Sequence, residues 1–427
     1  MLTPDQVQAH NEARQADLEA DVEHLTAVLA RSGKSAASVI DSLEAFSVAA
    51  PSWAVGSGGT RFGRFAIGGE PRTTEEKIDD VATLNSLTAA NRSISLHVPW
   101  DEPTDPAALK QYALSRGVRF AAMNSNTFQD NPSTTENGRL TYKFGGLANA
   151  DQAVREAAIE HNLAVIDLGV KLGSDALCIW LADGFNHPGG ADHRRQFERV
   201  AAGLKVIHDH LPSGWQLFTE HKPFEPAFFA TVNADWGSSL LLAQAAGPKA
   251  NCLVDLGHHL PNANIEQIVS RLAMAGRLGG FHFNDAKYAD DDVTTGSIKP
   301  FQLFLVFCEL LNAGDGSLPA LAYMIDQSHN LKDPLEDLIQ STEAAALAYA
   351  QALLIDRAAL RAAQDENDAA LCQELLQRAF RTDVRPLVAE ARRRAGGVIT
   401  PLEAYRESGY RQAKIAERGS DAVASGL

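Results

Sequence analysis

Eight short apolar runs, each followed by a stretch of helical periodicity, constrain this chain more than any other feature. They are Ser47–Val55, Ser93–Trp100, Phe120–Phe128, Ala176–Ala182, Gln216–His221, Cys252–His258, Gly280–Asn284 and Leu321–Gln327. None alternates strictly between apolar and polar residues, as befits strands covered on both faces. Strand then helix, eight times over, predicts an α/β fold of the (β/α)8 or TIM-barrel type. A doubly wound open sheet fits the same pattern, because repetition alone does not establish closure.

What ends each run carries the functional argument. In order, the exits hold Trp53, His97 with Trp100, Asn124 with Asn126, Trp180 with Asp183, Glu220 with Lys222, Asp255 with His258, His282 with Asn284, and Asp326 with His329. Polar or aromatic side chains at every strand end are hard to explain as packing, and in a barrel that face is the active site. Between the sixth and seventh runs, Asn264–Arg277 has helical spacing and is closed by Gly276 and Gly279; Asp290, Asp291 and Asp292 share the next loop. Taken singly, an Asp after a strand is a helix cap and a run of Asp is a solvated turn. Taken together, Glu220, Asp255, His282 and Asp326 form one ligand set for a hard divalent cation. His258, Asp290 and Asp292 form a second, with Asp255 available as a bridge. Oxygen-rich sets with one imidazole each favour Mn²⁺, Mg²⁺ or Co²⁺ and exclude a cysteine zinc site.

Lys222 follows Glu220 by two residues and so points to the same side of its strand. It can donate to a substrate oxygen that gains negative charge, or instead pair with the carboxylates. Trp53 and Trp180 suit the apolar faces of a sugar better than Trp100 does, and a neutral His97 could hold a hydroxyl or ring oxygen. His221, His259 and His329 are read as structural. Asp326 and His258 complete the catalytic candidates beside Lys222 and His97. A glycine-rich loop, Gly56–Arg72, lacks any phosphate-binding pattern; it reads as a mobile cover in which Phe62 or Phe65 closes on something.

The flanks are helical. Thr3–Arg31 predicts one helix, with Thr3 as cap and Pro4 at its first position, and Ala36–Phe46 a second. Beyond Asn330, helices are expected over Glu336–Leu354, Asp356–Ala363, Asp368–Phe380, Val384–Ala395 and Pro401–Glu417, with Ser420–Leu427 disordered. The domain reading is therefore 1–46 as N-terminal helices, 47–335 as the catalytic barrel, and 336–427 as a helical extension that packs on the barrel or on another subunit. A formal net charge of −16 argues against nucleic acid and is compatible with a neutral substrate such as a sugar. Four scattered cysteines with no CxxC, a polar N-terminus unlike a signal peptide, and no apolar run long enough for a bilayer predict a cytoplasmic protein with reduced thiols and no membrane partner.

The stretches PSWAVGSGGTRF, SLHVPWD, MNSNTF, Glu220-His221-Lys222, LVDLGHH, GGFHFNDAKYADDD and MIDQSHN closely resemble bacterial L-rhamnose isomerase, the branch with broad aldose range. The likeness spans roughly residues 5 to 415; Glu220-x-Lys222 and Asp255-x-x-His258 are similar, more distantly, to xylose isomerase. It implies a (β/α)8 barrel, a homotetramer, and a two-metal, usually Mn²⁺-dependent, aldose–ketose isomerase, with a ketose epimerase or other two-metal enzyme on the same barrel as the alternative. The residues themselves, with nearly all nearby carboxylates taken as metal ligands and no obvious free base, favour a metal-assisted 1,2-hydride shift over an enediol route. By position, Glu220, Asp255, His282 and Asp326 then correspond to a structural metal site and His258, Asp290 and Asp292 to a catalytic one. Lys222, His97, Trp53 and Trp180 fall on substrate-contact positions, and Phe62 on a residue that reaches a neighbouring subunit's pocket. Ala66-Ile67-Gly68 and the Gly314–Leu318 turn depart from the family pattern, where sugar preference is set.

Overall fold

The computed structural model describes residues 1–56, 65–131, 134, 140–185, 187–223, 231–327 and 331–421. All sheet strands are parallel. A seven-stranded sheet runs β10 (Ala322–Ile325), β9 (Leu278–Phe283), β8 (Ala250–Asp255), β7 (Gln216–Glu220), β6 (Ala176–Trp180), β5 (Met123–Ser125), β3 (His97–Val98). A three-stranded sheet holds β1 (Ala50–Pro51), β2 (Ser93–Ser95) and β4 (Arg119–Phe120). The two meet across Ala49, whose N–H donates to the Tyr323 carbonyl at 2.8 Å and whose carbonyl accepts from Ile325 N–H at 3.0 Å.

The fold is thus α/β with a curled parallel half-barrel, rather than the fully closed eight-stranded ladder expected. The second and third runs each break in two. Ser95 Oγ donates to the Ala122 carbonyl, and the Leu96 carbonyl accepts both Asn124 N–H, at 2.9 Å, and Asn124 Nδ2, at 3.2 Å, so side chains join the ladder's acceptors where the runs break. The first run yields only two strand residues before Ser52–Ala54 turn into a 3₁₀ segment.

From β6 onward each strand feeds a helix: His193–His210, Trp236–Ala246, Ile265–Met274, Pro300–Ala313 and Pro334–Leu353. Asp192, Asp235, Asn264 and Asp333 cap four of these by accepting from backbone N–H groups of the first turn. Capping is thus assigned to other residues, and Asp255, Asp290 and Asp326 are left for the strand-end site. Among the described residues no single helix is long and apolar enough to cross a membrane. All four cysteines are free, with Cys178, Cys252 and Cys308 buried.

Thr3 caps the first helix in a reciprocal box with Gln6, at 3.2 and 2.9 Å. The single helix expected over Thr3–Arg31 is two, Pro4–Glu12 and Gln15–Ala30. The break at residues 13–14 follows from docking. His10 bonds Thr400 and Glu407, Asn11 bonds the Gly397 carbonyl, and Arg14 pairs with Glu403 and Glu407. Those tertiary partners outweigh one or two helical hydrogen bonds, each worth only ~1 kcal/mol net. Pro401–Glu417 likewise splits into Pro401–Glu407 and Tyr410–Arg418, because Gly409 adopts a left-handed φ of 63° between them. The other predicted flanking helices form within a few residues of their expected limits. Of the expected disordered end, residues 422–427 lie outside the described residues, as do Phe62 and His329.

Candidate active site

Glu220, Asp255 and His282 stand at or near the ends of β7, β8 and β9, and Asp326 directly follows β10. Parallel registry brings them together: Asp255 lies beside His282, and Met324 pairs with His282 two residues before Asp326. One ligand atom from each of the four lies within 4.8 Å of the others. His282 Nδ1 is 3.0 Å from Glu220 Oε1, 3.2 Å from Asp326 Oδ2 and 3.8 Å from Asp255 Oδ2.

A second cluster joins Asp255, His258 and Asp290. His258 Nδ1 lies 3.9 Å from Asp255 Oδ1, and its Nε2 lies 3.4 Å from Asp290 Oδ2. The local chain is shaped for this. Gly257 N–H donates to Asp255 Oδ1 at 2.7 Å, and a Cβ at Gly257 would come within 2.9 Å of Asp290 Oδ1. The acidic loop is pinned at its base by paired bonds between Asp285 and Val293, at 3.0 and 3.1 Å. Its three aspartates divide. Asp291 accepts from the N–H groups of Lys287 and Tyr288 within the loop, whereas Asp290 and Asp292 line the cavity. Asp292 stands outside the second cluster, which Asp255 completes instead.

Electrostatics explains what this arrangement asks for. Two carboxylates 4.8 Å apart repel by about 3 kcal/mol at an effective dielectric near 20. Burial, together with the charges of Asp326, Glu220 and Asp290, pushes Asp255 up to about 7. Burial opposes charge on the histidines, yet Glu220 and Asp326 lift His282 to about 10, and Asp255 and Asp290 hold His258 well above its ordinary value. Glu220 is held well below the carboxylate range: burial would raise it, but His282 and His258 outweigh that. So many buried carboxylates, gathered around two imidazoles and a single lysine, fit a site for divalent cations. Outer partners fix the ligands in turn. Asn284 Nδ2 donates to both Asp255 oxygens at 3.0 and 3.2 Å, Trp53 Nε1 to Asp326 Oδ1 at 2.8 Å, and Cys178 Sγ to Glu220 Oε2 at 3.3 Å.

A cavity of about 530 Å³, its mouth included, opens over both clusters. The wall away from the clusters is Trp53, His97, Asn124, Ser125, Phe128 and Trp180. Its rings interlock: Phe128 meets Trp180 edge-on at 4.3 Å, Trp53 meets His97 at 5.6 Å, and Trp180 stacks over His258 at 6.2 Å. Burial drives His97 down to about 4, so its imidazole is neutral, as anticipated. Of the two roles open to Lys222, donor to a substrate oxygen or partner of the carboxylates, the contact present is the second. The lysine is fully buried, its ammonium bonds Asp290 Oδ2 and lies 5.3 Å from the Trp180 ring centre, and it is absent from the cavity lining. Trp100 packs on His97 outside the lining, and His221 and His259 pack edge-on at 4.7 Å, as structural residues. Phe128, the last residue of its run, and Cys178, one of the four cysteines expected to be reduced, carry roles at the site that the residue pattern did not assign them.

No family model matches the chain. A probable sugar isomerase of Rhizobium meliloti (strain 1021) is 50% identical over 430 residues, covering 100% of this chain and 98% of the relative. One of Mesorhizobium japonicum is 49% identical over the same span. Among solved structures, L-ribulose 3-epimerase matches with a TM-score of 0.54 at 15% identity, over 76% of this chain and 98% of that one. D-allulose 3-epimerase from Methylomonas sp., in complex with D-allulose, matches at 0.52 and 14%, over 70% and 95%. At those identities the structures share the fold alone. The sequence relatives settle more: full-length identity of 50%, with carboxylates and imidazoles gathered under a walled cavity, places this chain in the family of these sugar isomerases.

Proposed function

We propose that the protein is a divalent-metal-dependent aldose–ketose isomerase, converting L-rhamnose to L-rhamnulose and acting on related aldoses. The observation that carries this reading is the pair of ligand clusters sharing Asp255, set against an aromatic wall in one cavity. Glu220, Asp255, His282 and Asp326 would hold one ion; His258 and Asp290, with Asp255 and Asp292 at hand, would hold a second; Mn²⁺, Co²⁺ and Mg²⁺ all suit such donors. When bound, such ions supply Lewis acidity toward vicinal sugar oxygens. Trp53, Phe128 and Trp180 offer apolar faces to the sugar's CH groups and exclude water. Neutral His97 can give or take the proton at a ring or hydroxyl oxygen during ring opening. Lys222, held by Asp290, places a fixed positive charge beneath the cluster.

Of the cavity carboxylates, Glu220, Asp290 and Asp326 belong to the ligand clusters, and Asp292 lies in the same lining, at hand for the second ion rather than set aside as a base toward C2–H. The favoured route is therefore a 1,2-hydride shift. The C2 hydrogen moves to C1 with its electron pair, O2 gives up its proton and O1 gains one. Epimerisation, the reaction named for the solved structures of like fold, needs acid–base groups on opposite faces of one carbon. Among the described residues, the wall facing the clusters contains no carboxylate. Assembly as a homotetramer in the cytoplasm, with the helical flanks outside the catalytic sheet, belongs to the same reading.

The test is chelation, followed by resupply of Mn²⁺, Co²⁺ or Mg²⁺ and a panel of aldoses scored for ketose. Metal-dependent ketose formation, fastest with L-rhamnose, is expected. Products epimeric at C3 without any ketose from aldose would favour the epimerase instead. With an aldose deuterated at C2, the label should remain at C1 of the ketose; washout into solvent would exclude the hydride route.

A further inference from the structure

We propose that Asp101, held by Lys77, is a positioning residue that sets Trp53 and His97 against each other in the cavity wall; this rests on the function proposed above. The strand pairing between the first and second runs stops at Pro51 and Ser95. In that register Trp53 falls opposite His97, two residues further on, where both residues line the cavity. Their rings lie 5.6 Å apart, with Trp53 in the 3₁₀ segment Ser52–Ala54 and His97 at the start of β3. Past the last ladder pair, one carboxylate joins the two runs. Asp101 Oδ2 accepts from Ser52 Oγ and, at 2.8 Å, from the backbone N–H of His97.

The carboxylate is itself held in place. Asp101 is only 1% exposed, and Ser52 is fully buried. Lys77, buried on the helix Thr74–Thr88, brings its ammonium to Asp101 Oδ1 at 2.5 Å. Thr74 Oγ1, from the first turn of that helix, donates to the Asp101 carbonyl at 3.4 Å. Asp101 N–H donates in turn to the His97 carbonyl at 3.0 Å, so residues 97–101 close on themselves. Asp101 thus bonds the backbone of His97 and leaves its ring to Asn126, whose Nδ2 lies 3.4 Å from His97 Nε2. Trp53 is gripped at two points, through its neighbour Ser52 and through the bond from its indole to Asp326.

Further round the sheet no such device is needed. There Trp180 and Glu220 are ladder partners themselves, so wall and ligand share one register. Between the first two runs the side chain of Asp101 takes the place of the missing pairs. A carboxylate offers about four acceptor positions, so it can hold Lys77, Ser52 and His97 at once. Buried ion pairs such as Lys77–Asp101 are poor sources of stability, because desolvation offsets the attraction; fixing one geometry is their better-attested use. Releasing Asp101 frees the two rings that face the sugar, while Glu220, Asp255 and His282 stay on their strands.

The test sets two double variants of the full chain side by side. Lys77→Met with Asp101→Leu removes both buried charges together, so neither is stranded, and removes the acceptor of Ser52 and His97. Lys77→Met with Asp101→Asn removes the same charges but keeps one oxygen for those two donors. The first readout is the Trp53 indole N–H signal in ¹⁵N-tryptophan NMR, assigned with Trp53→Phe and compared with Trp215. The leucine pair should shift that signal and speed its exchange at least about tenfold, with Trp215 unmoved and bound metal unchanged. In the aldose assay its KM should rise about tenfold with kcat within about threefold, as when binding rather than chemistry is lost. The asparagine pair should bring both readings back to within about threefold of the wild type. An unmoved Trp53 signal in the leucine pair would overturn the proposal, as would a moved signal with unchanged KM, loss of metal, or no recovery with asparagine. If the wild-type protein isomerises no sugar, the proposed function fails by itself, and the indole signal with its recovery still decides whether Asp101 positions the wall. Should the leucine pair fold poorly, Ser52→Ala, which deletes one buried hydroxyl, takes its place, and exchange of the Trp53 indole should quicken at least about threefold.

Discussion

The two halves of the curled sheet are built differently. From β6 to β10 the strands run four to six residues and pair in long registers, Ala176–Trp180 against Gln216–Glu220 being continuous. From β1 to β5 they are two or three residues long and interrupted. The regular half carries every clustered ligand; the broken half carries Trp53, His97, Asn124 and Phe128 of the facing wall. A metal centre needs donors fixed to tenths of an ångström, which a continuous ladder supplies. A sugar wall needs rings turned toward a cavity, and interrupted strands can turn them. The lesson is a division of labour: precision from the ladder, shape from its interruption.

The comparison is broken most forcefully at Asp255, the carboxylate common to both clusters. Asp255→Asn keeps the shape and removes the charge. Metal content should collapse and activity should fall by more than ~100-fold, beyond the usual effect of losing an outer partner of a ligand. Elemental analysis beside initial rates checks this, and a variant retaining both metal and rate would refute the assignment of ligands to the regular half. On the other side, Trp53→Phe keeps the ring and removes the donor to Asp326. A hydrogen bond to a charged group is worth roughly 1.5–3 kcal/mol, so KM should rise about tenfold while bound metal is retained. Loss of metal there would show the wall to be part of the metal centre after all.

How much of this was legible follows the same division. Runs such as Ala176–Ala182 and Gln216–His221 announced their strands, which pair in one unbroken register. The interruptions beside Ser95 and Asn124 were hidden, since a side chain's bond to a backbone acceptor leaves no trace in hydrophobic periodicity. Pairing of Lys222 with a carboxylate was readable as one of its two roles, but which one was not: Asp290 lies 68 residues away, and no local pattern selects it. The break between residues 12 and 15 was invisible for the same reason, and so were the bonds from Arg411 and Arg418 to the carbonyls of Gly68 and Gly69 at the far end of the glycine-rich loop.

The mildest prediction concerns His161, beneath the broken half. Its Nε2 accepts from Asn126 N–H at 3.3 Å, the Val98 carbonyl accepts from the ring, and burial drives the imidazole down to about 4. A base whose folded value lies below its unfolded value stays neutral in the fold while the unfolded chain takes up a proton. Stability should therefore be complete above pH 6.5 and be lost as pH falls from 6.5 toward 4. His97, His221 and His259 are shifted down by burial in the same way, so His161→Gln, which can still accept and donate, should make that acid limb shallower in denaturant titrations and leave activity at neutral pH unchanged. An unaltered limb would place the acid sensitivity elsewhere.

The clasp of the first helices onto residues 397–407 bears on how the protein is made. His10, Asn11 and Arg14 wait for partners 386 to 397 positions downstream. At ~5–20 residues per second of synthesis, that interval lasts about 20–80 s. Throughout it, Leu18, Leu25 and Leu29 have no completed surface to pack on, however quickly the finished chain folds. The length of that wait is set by the ribosome's pace, and slowing translation should lengthen it without altering a single contact of the native state.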